Sequence, residues 1–163
     1  MRILGIDPGS RVTGFGVIDS DGQKSLYVGS GVIRSSNENF LERLIEIFSG
    51  IQKVVEDYLP DQVAIEQVFL AQNPGSALKL GQARGIAIAA ASGKSSKMFE
   101  YSAKSIKQSV VGSGSATKEQ VQHMVSILLS QKKTKYLDES DALAVALCHA
   151  HNIPMIKLKE REA

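Results

Sequence analysis

Short apolar runs bounded by turn residues fill the first 34 positions of the chain. One run covers residues 2–7 and ends at the acidic residue Asp7, before a Pro-Gly turn, and two more cover residues 12–19 and 25–34. The dipeptide Asp21-Gly22, between the second and third runs, is typical of a hairpin. The pattern therefore predicts three antiparallel strands.

The middle of the chain changes to helical spacing and then returns to short apolar runs. Apolar side chains recur every three or four positions over residues 39–58, which predicts a helix, and Pro60 marks its end. Residues 62–67 predict a short buried strand, residues 75–92 a helix of small side chains, and residues 97–101 a fifth strand.

The last third of the chain predicts three more helices, over residues 102–110, 118–130 and 138–151. We expect a single domain over residues 1–151, followed by a polar, disordered tail over residues 152–163. Three antiparallel strands followed by helix, strand, helix and strand indicate an α/β fold. We predict a five-stranded mixed sheet flanked by helices on both faces.

Composition is that of an ordinary globular protein with one domain. The chain has 163 residues, of which 43% are hydrophobic and 22% charged, enough to bury a core. A single cysteine, Cys148, excludes an internal disulfide and fits a reducing compartment. The first residues show no leader pattern, and the longest apolar run, Ile86 to Ala91, is too short to cross a bilayer. We therefore expect a cytoplasmic protein with no membrane partner.

Charge is distributed unevenly along the chain, although the net charge is only +2. Residues 94–135 contain eight lysines and two glutamates, a surplus of +6, whereas the segments before and after this block are each slightly acidic. A solvated surface explains such a block, and so does a footprint for a phosphate backbone beside an acidic site.

Four acidic residues stand at positions where burial disfavours a carboxylate. Asp7 and Glu66 each end a predicted buried strand, and Asp138 and Asp141 share one face at the start of the last predicted helix. If the two strands are parallel neighbours, Asp7 and Glu66 lie side by side at their carboxyl ends, where open α/β sheets place their sites.

Each acid alone also has a structural explanation. Asp7 suits an Asx turn before the Pro-Gly pair, and Asp138 and Asp141 suit a helix N-terminus. Together, the four carboxylates require a compensating cation, and oxygen ligands favour Mg²⁺ or Mn²⁺ over zinc. Two such ions activate a water and stabilise the leaving oxygen of a phosphodiester.

Four segments of the chain carry a resemblance to a known family: GIDPGSRVTGFGVI, IEQVFLAQNPGSALKLGQARG, KQSVVGSGSATKEQVQHMV and DESDALAVALCHAH. They resemble the RuvC-type Holliday junction resolvases over residues 1–151, including the order and spacing of the acids. The resemblance implies a ribonuclease H-like fold, a homodimer and Mg²⁺-dependent paired nicking of four-way DNA junctions in recombination and repair. It also implies a partner, a branch-migration motor complex of the RuvA–RuvB type.

The same resemblance assigns roles to individual residues. It implies that the catalytic, metal-binding acids are Asp7, Glu66, Asp138 and Asp141, that Phe69 contacts the junction, and that Lys107 and Lys118 bind DNA. An extra acid, Glu139, stands beside Asp138, so that either residue is a candidate for the fourth ligand.

The sequence around each DNA-binding candidate allows both a structural role and a DNA-binding role. Phe69 is either a core residue or an apolar wedge against an unpaired base. Lys107 and Lys118 flank a Gly-Ser loop that lets backbone amides approach phosphates. Arg84, a further candidate for DNA contact, lies between Gly81 and Gly85 on the helix of small side chains, which suits close packing or a dimer seam.

Three other functions compete with junction cleavage. A related ribonuclease H-like nuclease that processes ribosomal RNA shares the Asp-x-Gly start, although the Phe69 segment and the lysines favour DNA junctions. An ATPase of the actin and sugar-kinase type needs two such domains, and 163 residues supply one. A non-catalytic junction-binding module disagrees with four intact acids.

Overall fold

The computed structural model describes residues 1–68, 73–92 and 97–162, and the side chains as far as Pro154 in the last helix. Within these residues the chain forms five strands and five helices. In chain order they are β1 (Arg2–Asp7), β2 (Val12–Ser20), β3 (Ser25–Arg34), α1 (Phe40–Tyr58), β4 (Gln62–Glu66), α2 (Pro74–Ala91), β5 (Lys97–Tyr101), α3 (Ala103–Val111), α4 (Lys118–Leu128) and α5 (Leu137–Glu162).

The five strands form one mixed sheet in the order β3-β2-β1-β4-β5. β2 runs antiparallel to β1 and β3, whereas β4 runs parallel to β1 and to β5. The carboxyl ends of β1, β3, β4 and β5 therefore meet at one side of the sheet, which we call the carboxyl edge. The predicted five-stranded mixed sheet is confirmed.

Helices cover both faces of this sheet, as the sequence predicts. On one face, α3, α4 and α5 bury a core with residues such as Ile106, Val121 and Leu147. On the other face, α1 and α2 bury Ile47 and Ala87 against the strands. Two apolar layers thus hold the sheet rigid from both sides, which fixes the directions of side chains at its carboxyl edge.

Glycines in β1 and β2 let α5 approach the sheet closely. A Cβ at Gly5 would collide with the backbone of Ala142, and a Cβ at Gly14 would collide with the backbone of Asp138. These collisions show that α5 lies directly on the backbone of the two strands. The first turns of α5 are thereby placed beside the end of β1.

The last helix is longer than the apolar pattern predicts. α5 continues to Glu162, whereas we predicted that it ends at residue 151. The disorder predicted for residues 152–163 stays a prediction. Burial of Ile153 in the core explains part of the extension, because an apolar contact stabilises the next helical turn. Even so, no helix in the described ranges combines the length and apolar character that a membrane crossing needs.

A buried histidine joins α5 to the parallel strands. Tyr101 Oη lies 2.7 Å from Nδ1 of His149, and Nε2 of His149 lies 2.7 Å from Oε1 of Gln62. Because the amide oxygen of Gln62 only accepts, Nε2 carries the proton and Nδ1 accepts from the tyrosine. Burial lowers the pKa of His149 to about 4, so the ring is neutral in the folded protein at pH 7.

Candidate active site at the carboxyl edge

Three of the four predicted acids line one cavity at the carboxyl edge. Asp7 ends β1 and Glu66 ends its parallel neighbour β4, while Asp141 lies near the start of α5. Their side chains line a cavity of about 280 Å³ together with Lys107 of α3 and Lys118 of α4. The structure thus brings together acids that are separated by up to 134 positions in the sequence.

The rest of the cavity lining is apolar. Ala103 and Ile106 come from α3, Val121 from α4, and Ala144 from α5 one turn after Asp141. We did not single out these residues from the sequence, although the position of Ala144 on the same helical face as Asp141 is a usable signal. An apolar lining disfavours ionised carboxylates and strengthens their interaction with any bound cation.

The acids at the strand ends are strongly perturbed. Burial, followed by the charges of Glu66 and Asp141, raises the pKa of Asp7 to about 8, and the charge of Lys118 opposes this shift. The pKa of Glu66 is also raised, first by burial and then by Asp141, with Lys118 and Lys107 acting in the opposite direction. Without a further cation, the cavity therefore does not hold all of its carboxylates ionised at neutral pH.

Lys118 neutralises part of this negative charge. Its Nζ donates to Oδ2 of Asp141 at 2.6 Å, and the lysine side chain remains 57% exposed while that of Asp141 is 14% exposed. Burial alone lowers the pKa of Lys118, but the hydrogen bond to Asp141 and the charges of Asp141, Asp7 and Asp138 outweigh it, so the pKa is raised. Lys118 is a permanent cation at the mouth of the cavity.

The chemistry of the cavity fits a hard divalent cation. Its donors are carboxylate oxygens, and the pKa of Asp7 is raised first by burial and then by the neighbouring carboxylates, both of which a bound cation would offset. In the part of the chain that the structure describes, no three Asp, Glu, His or Cys side chains are grouped as a formed metal site. The ion pair between Lys118 and Asp141 is consistent with this finding, since a cation bound to Asp141 would compete with Lys118 for the same oxygens.

The two candidates for the fourth ligand, Asp138 and Glu139, have different neighbours in the structure. Asp138 packs over Gly14, the partner of Asp7 in the register of β1 and β2, and its charge contributes to the raised pKa of Asp7. Glu139 turns towards β3, where its Oε2 accepts from Ser30 Oγ at 3.5 Å. Among the charges that shift the pKa of Asp7, Asp138 is present and Glu139 is not.

Arg84 of α2 forms hydrogen bonds to residues of β4 and β5. Its Nε donates to the backbone oxygen of Glu66 at 3.1 Å, and its Nη2 donates to Oε2 of Glu100 at 2.6 Å. These bonds tie α2 to the ends of β4 and β5, which positions Glu66. The DNA contact predicted for Arg84 stays a prediction. Phe69 lies outside the described residues, and its predicted role stays a prediction as well.

The connection between α3 and α4 places the two lysines on one side of the cavity. Gly112 ends α3 in the left-handed conformation, with φ of 84°, and Thr117 caps α4 by accepting from Gln120 N. The chain therefore turns back tightly, and Lys107 and Lys118 both reach the cavity.

A mixed sheet of this strand order, with helices on both faces and acids where its parallel strands end, defines the ribonuclease H-like class. The chain belongs to the RuvC family of crossover junction endodeoxyribonucleases, whose family model matches residues 3–149. Membership in this family is confirmed by relatives and by solved structures, which agree over nearly the whole chain.

A crossover junction endodeoxyribonuclease RuvC from Pseudoalteromonas atlantica is 57% identical over 157 residues, which are 96% of this chain and 91% of that protein. The structure of Thermus thermophilus RuvC matches with a TM-score of 0.84 and 32% identity, covering 95% of this chain and 96% of that one. The Thermus protein in complex with a Holliday junction substrate matches with the same TM-score and coverage at 29% identity.

Proposed function

We propose that this protein is a structure-selective DNA endonuclease that resolves four-way junctions by paired, symmetric nicks in recombination and repair. The observation that carries this proposal is the cavity in which Asp7, Glu66 and Asp141 lie beside Lys107 and Lys118. Carboxylates suit a metal-assisted hydrolysis, and adjacent lysines suit the phosphate on which it acts. Family membership and the junction complex of the Thermus relative support the choice of substrate.

In this proposal the acids hold divalent cations. The ligands are Asp7, Glu66, Asp141 and Asp138. The cofactor is Mg²⁺, with two ions in each site, and Mn²⁺ can replace it. When bound, the ions supply an activated water and stabilise the leaving oxygen. The apolar side chains that line the cavity limit the access of bulk water to the carboxylates. They are Ala103, Ile106, Val121 and Ala144.

The lysines orient the DNA backbone. Lys118 stands at the mouth of the cavity with more than half of its side chain exposed, and Lys107 faces Glu66 closely enough to influence its pKa. A phosphate group that binds between these cations is held beside the acids. Binding and cleavage therefore depend on different residues, and variants separate them.

Homodimerisation is part of the proposal, because a junction needs two cuts related by two-fold symmetry. The exposed face of α2 supports a seam: Leu78 is 69% exposed, and nothing lies within 4 Å of a Cβ built at Gly81 or Gly85. Ala83 and Ala87, whose small size also suggests a seam, are buried against the protein's own sheet instead.

We further propose cooperation with a branch-migration motor of the RuvA–RuvB type and a cytoplasmic location, where bacterial DNA lies.

Cleavage of a synthetic mobile junction with Mg²⁺ tests the function, with linear duplex as the control. We expect paired nicks in the junction and none in the duplex. Asp7→Asn, Glu66→Gln and Asp141→Asn should each abolish cleavage and keep most of the junction affinity, since the lysines remain. If two of these three variants still cut, the acids are not the metal ligands. If structured RNA competes better than the junction, the protein processes RNA.

A further inference from the structure

Two cations flank one aromatic ring at the carboxyl edge, away from the lysines of the cavity. Arg34, at the end of β3, has its Cζ 5.2 Å from the ring centroid of Tyr136, and Lys135 has its Nζ 5.1 Å from the same centroid. Both cations are exposed and the ring is half-buried. We call Arg34, Lys135 and Tyr136 the Tyr136 cluster.

The cluster carries positive charge, and the residues that the structure describes give it no ion pair. Among the described residues, no carboxylate lies within ion-pair distance of Arg34 or Lys135. The charge of Lys135 acts to lower the pKa of Glu139, but Glu139 accepts its hydrogen bond from Ser30 and not from Lys135. Two exposed cations drawn to the same ring repel each other, and an anion that binds both relieves this repulsion.

Hydrogen bonds hold the segment of the cluster in place. Thr134 Oγ1 donates to the backbone oxygen of Tyr136 at 2.9 Å, and Gln122 Nε2 of α4 donates to the backbone oxygen of Thr134 at 3.1 Å. Lys135 therefore stands on a loop tied to α4, and Tyr136 directly precedes α5. A site that is ordered before its ligand arrives loses less entropy on binding.

The cluster lies at the carboxyl edge on the β3 side of Asp7, whereas Glu66 lies on the β4 side. Val12 pairs with Arg34 across β2 and β3, and Gly14 pairs with Asp7 across β1 and β2. Arg34 is thus two strands from Asp7, on the side away from β4. Two strand spacings of about 4.8 Å, with an offset of two residues of about 3.4 Å each along the strands, separate the two backbone positions by roughly 12 Å. A DNA strand covers this distance within a few nucleotides.

We propose that the Tyr136 cluster binds the DNA backbone within a few nucleotides of the cleaved phosphate, on the β3 side of the acids. Arg34 and Lys135 each contact a phosphate, and the ring of Tyr136 holds the two cations in place. The cluster is open and exposed and lies at the same edge as the acids, which suits a polyanion that continues from the cavity. This inference rests on the proposed nuclease function and adds a second anchor to it.

Salt dependence of junction binding tests the inference, measured in EDTA so that no cleavage occurs. Arg34→Gln with Lys135→Gln should lower the slope of log K against log salt by about 2 and weaken binding roughly tenfold or more at 0.1 M salt. The matched control, Lys24→Gln with Lys53→Gln, loses the same charge in the β2–β3 turn and in α1 and should keep the wild-type slope. An equal effect in both double variants, or an unchanged slope in the first, overturns the inference.

Neutral methylphosphonates placed one at a time along the cleaved strand locate the contact. For the wild type, we expect lost affinity on both flanks of the cleaved position. In the Arg34/Lys135 variant, the loss within a few nucleotides on one flank should disappear, while the loss on the other flank stays. Tyr136→Ala should weaken binding and Tyr136→Phe should not, since the ring alone holds the cations. Wild-type cleavage with no such flank effect rejects the cluster alone, whereas a wild type that does not bind the junction rejects the proposed function.

Discussion

Asp7 shows how a single residue links the stability of this protein to pH. Its pKa of about 8 in the folded protein exceeds the ordinary value of 3.8 because burial and neighbouring acids disfavour its charge. Between pH 4 and 8 the folded state therefore retains a proton that the unfolded state has lost. The contribution of Asp7 to stability is present below pH 4 and is lost as the pH rises through 8.

We predict that Asp7→Asn stabilises the metal-free protein as the pH rises. The variant and the wild type should be about equally stable at pH 4 and below, and the variant should be more stable by on the order of 1–3 kcal/mol at pH 8. Urea unfolding in EDTA measures the difference. Mg²⁺ should then stabilise the wild type more than the variant. Equal unfolding free energies at every pH would show that Asp7 is not perturbed.

Lys118 gives a second prediction at the scale of the residue, because it occupies Asp141 through a 2.6 Å hydrogen bond. Lys118→Gln should bind Mn²⁺ several-fold more tightly, since the ion no longer competes with an ammonium group. The same variant should cut junctions at least tenfold more slowly, since a phosphate contact is lost. Lys107→Gln, which changes a lysine with no hydrogen bond to an acid among the described residues, is the control for metal affinity. Unchanged Mn²⁺ binding in Lys118→Gln contradicts the competition.

Elements are joined at the centre of the molecule by His149. This residue of α5 bonds to Tyr101 of β5 and Gln62 of β4, and its ring packs on Phe99 with centroids 4.3 Å apart. Its pKa of about 4 lies below the ordinary 6.5, so that between these values the unfolded state binds the extra proton. Stability therefore falls as the pH is lowered from 6.5 towards 4.

We predict that the wild type loses up to about 1.4 kcal/mol per pH unit below pH 6.5 through His149. His149→Gln, which takes up no proton, should show a flatter stability profile from pH 6.5 to 4.5, although it is less stable at pH 7. Chemical unfolding across this range provides the measurement. His151→Gln serves as the control because His151 is exposed and bonds to Ser109 at 3.0 Å. Parallel profiles for His149→Gln and the wild type would contradict the prediction.

At the scale of the whole molecule, the proposed homodimer presents two cavities to one junction, with the exposed face of α2 as its proposed seam. An apolar pocket of about 540 Å³ lies on this face, lined by Pro74, Ala77, Leu78, Gly81 and Gln82. A second copy of the chain that packs there would cover apolar surface near the start of α2, the helix that braces Glu66 through Arg84.

We predict that Gly81→Glu splits a homodimer without unfolding the chain. A side chain at Gly81 meets no atom within 4 Å in the monomer, so thermal stability at high dilution should change little. Sedimentation should report a dimer for the wild type and a monomer for the variant, and a cruciform plasmid should be nicked once per binding event instead of twice. Ala87→Glu is the contrasting change: it buries a charge in the core and should unfold the protein. A monomeric wild type that still makes paired nicks would remove the need for a seam.

Local patterns in the sequence determined the elements and the candidate acids. Apolar runs predicted the five strands, and helical spacing predicted the helices, because both depend on neighbours within a few positions. The resemblance of four segments identified the family, and Asp7, Glu66 and Asp141 were found to meet as their positions at strand and helix ends suggested. The predicted end of α5, at residue 151, was wrong, because the burial of Ile153 depends on a distant contact that local spacing does not show.

Tertiary structure decided which distant side chains meet. Lys118 with Asp141, Arg84 with the end of β4, and Arg34 with Tyr136 are pairs separated by 18 to 102 positions, and no local spacing encodes them. The perturbed pKa of Asp7 likewise requires the burial and the charges that only the assembled sheet and α5 supply. The sequence could name the chemical groups of the site, because residue types are local. Their distances, partners and protonation follow from the packing of elements around them.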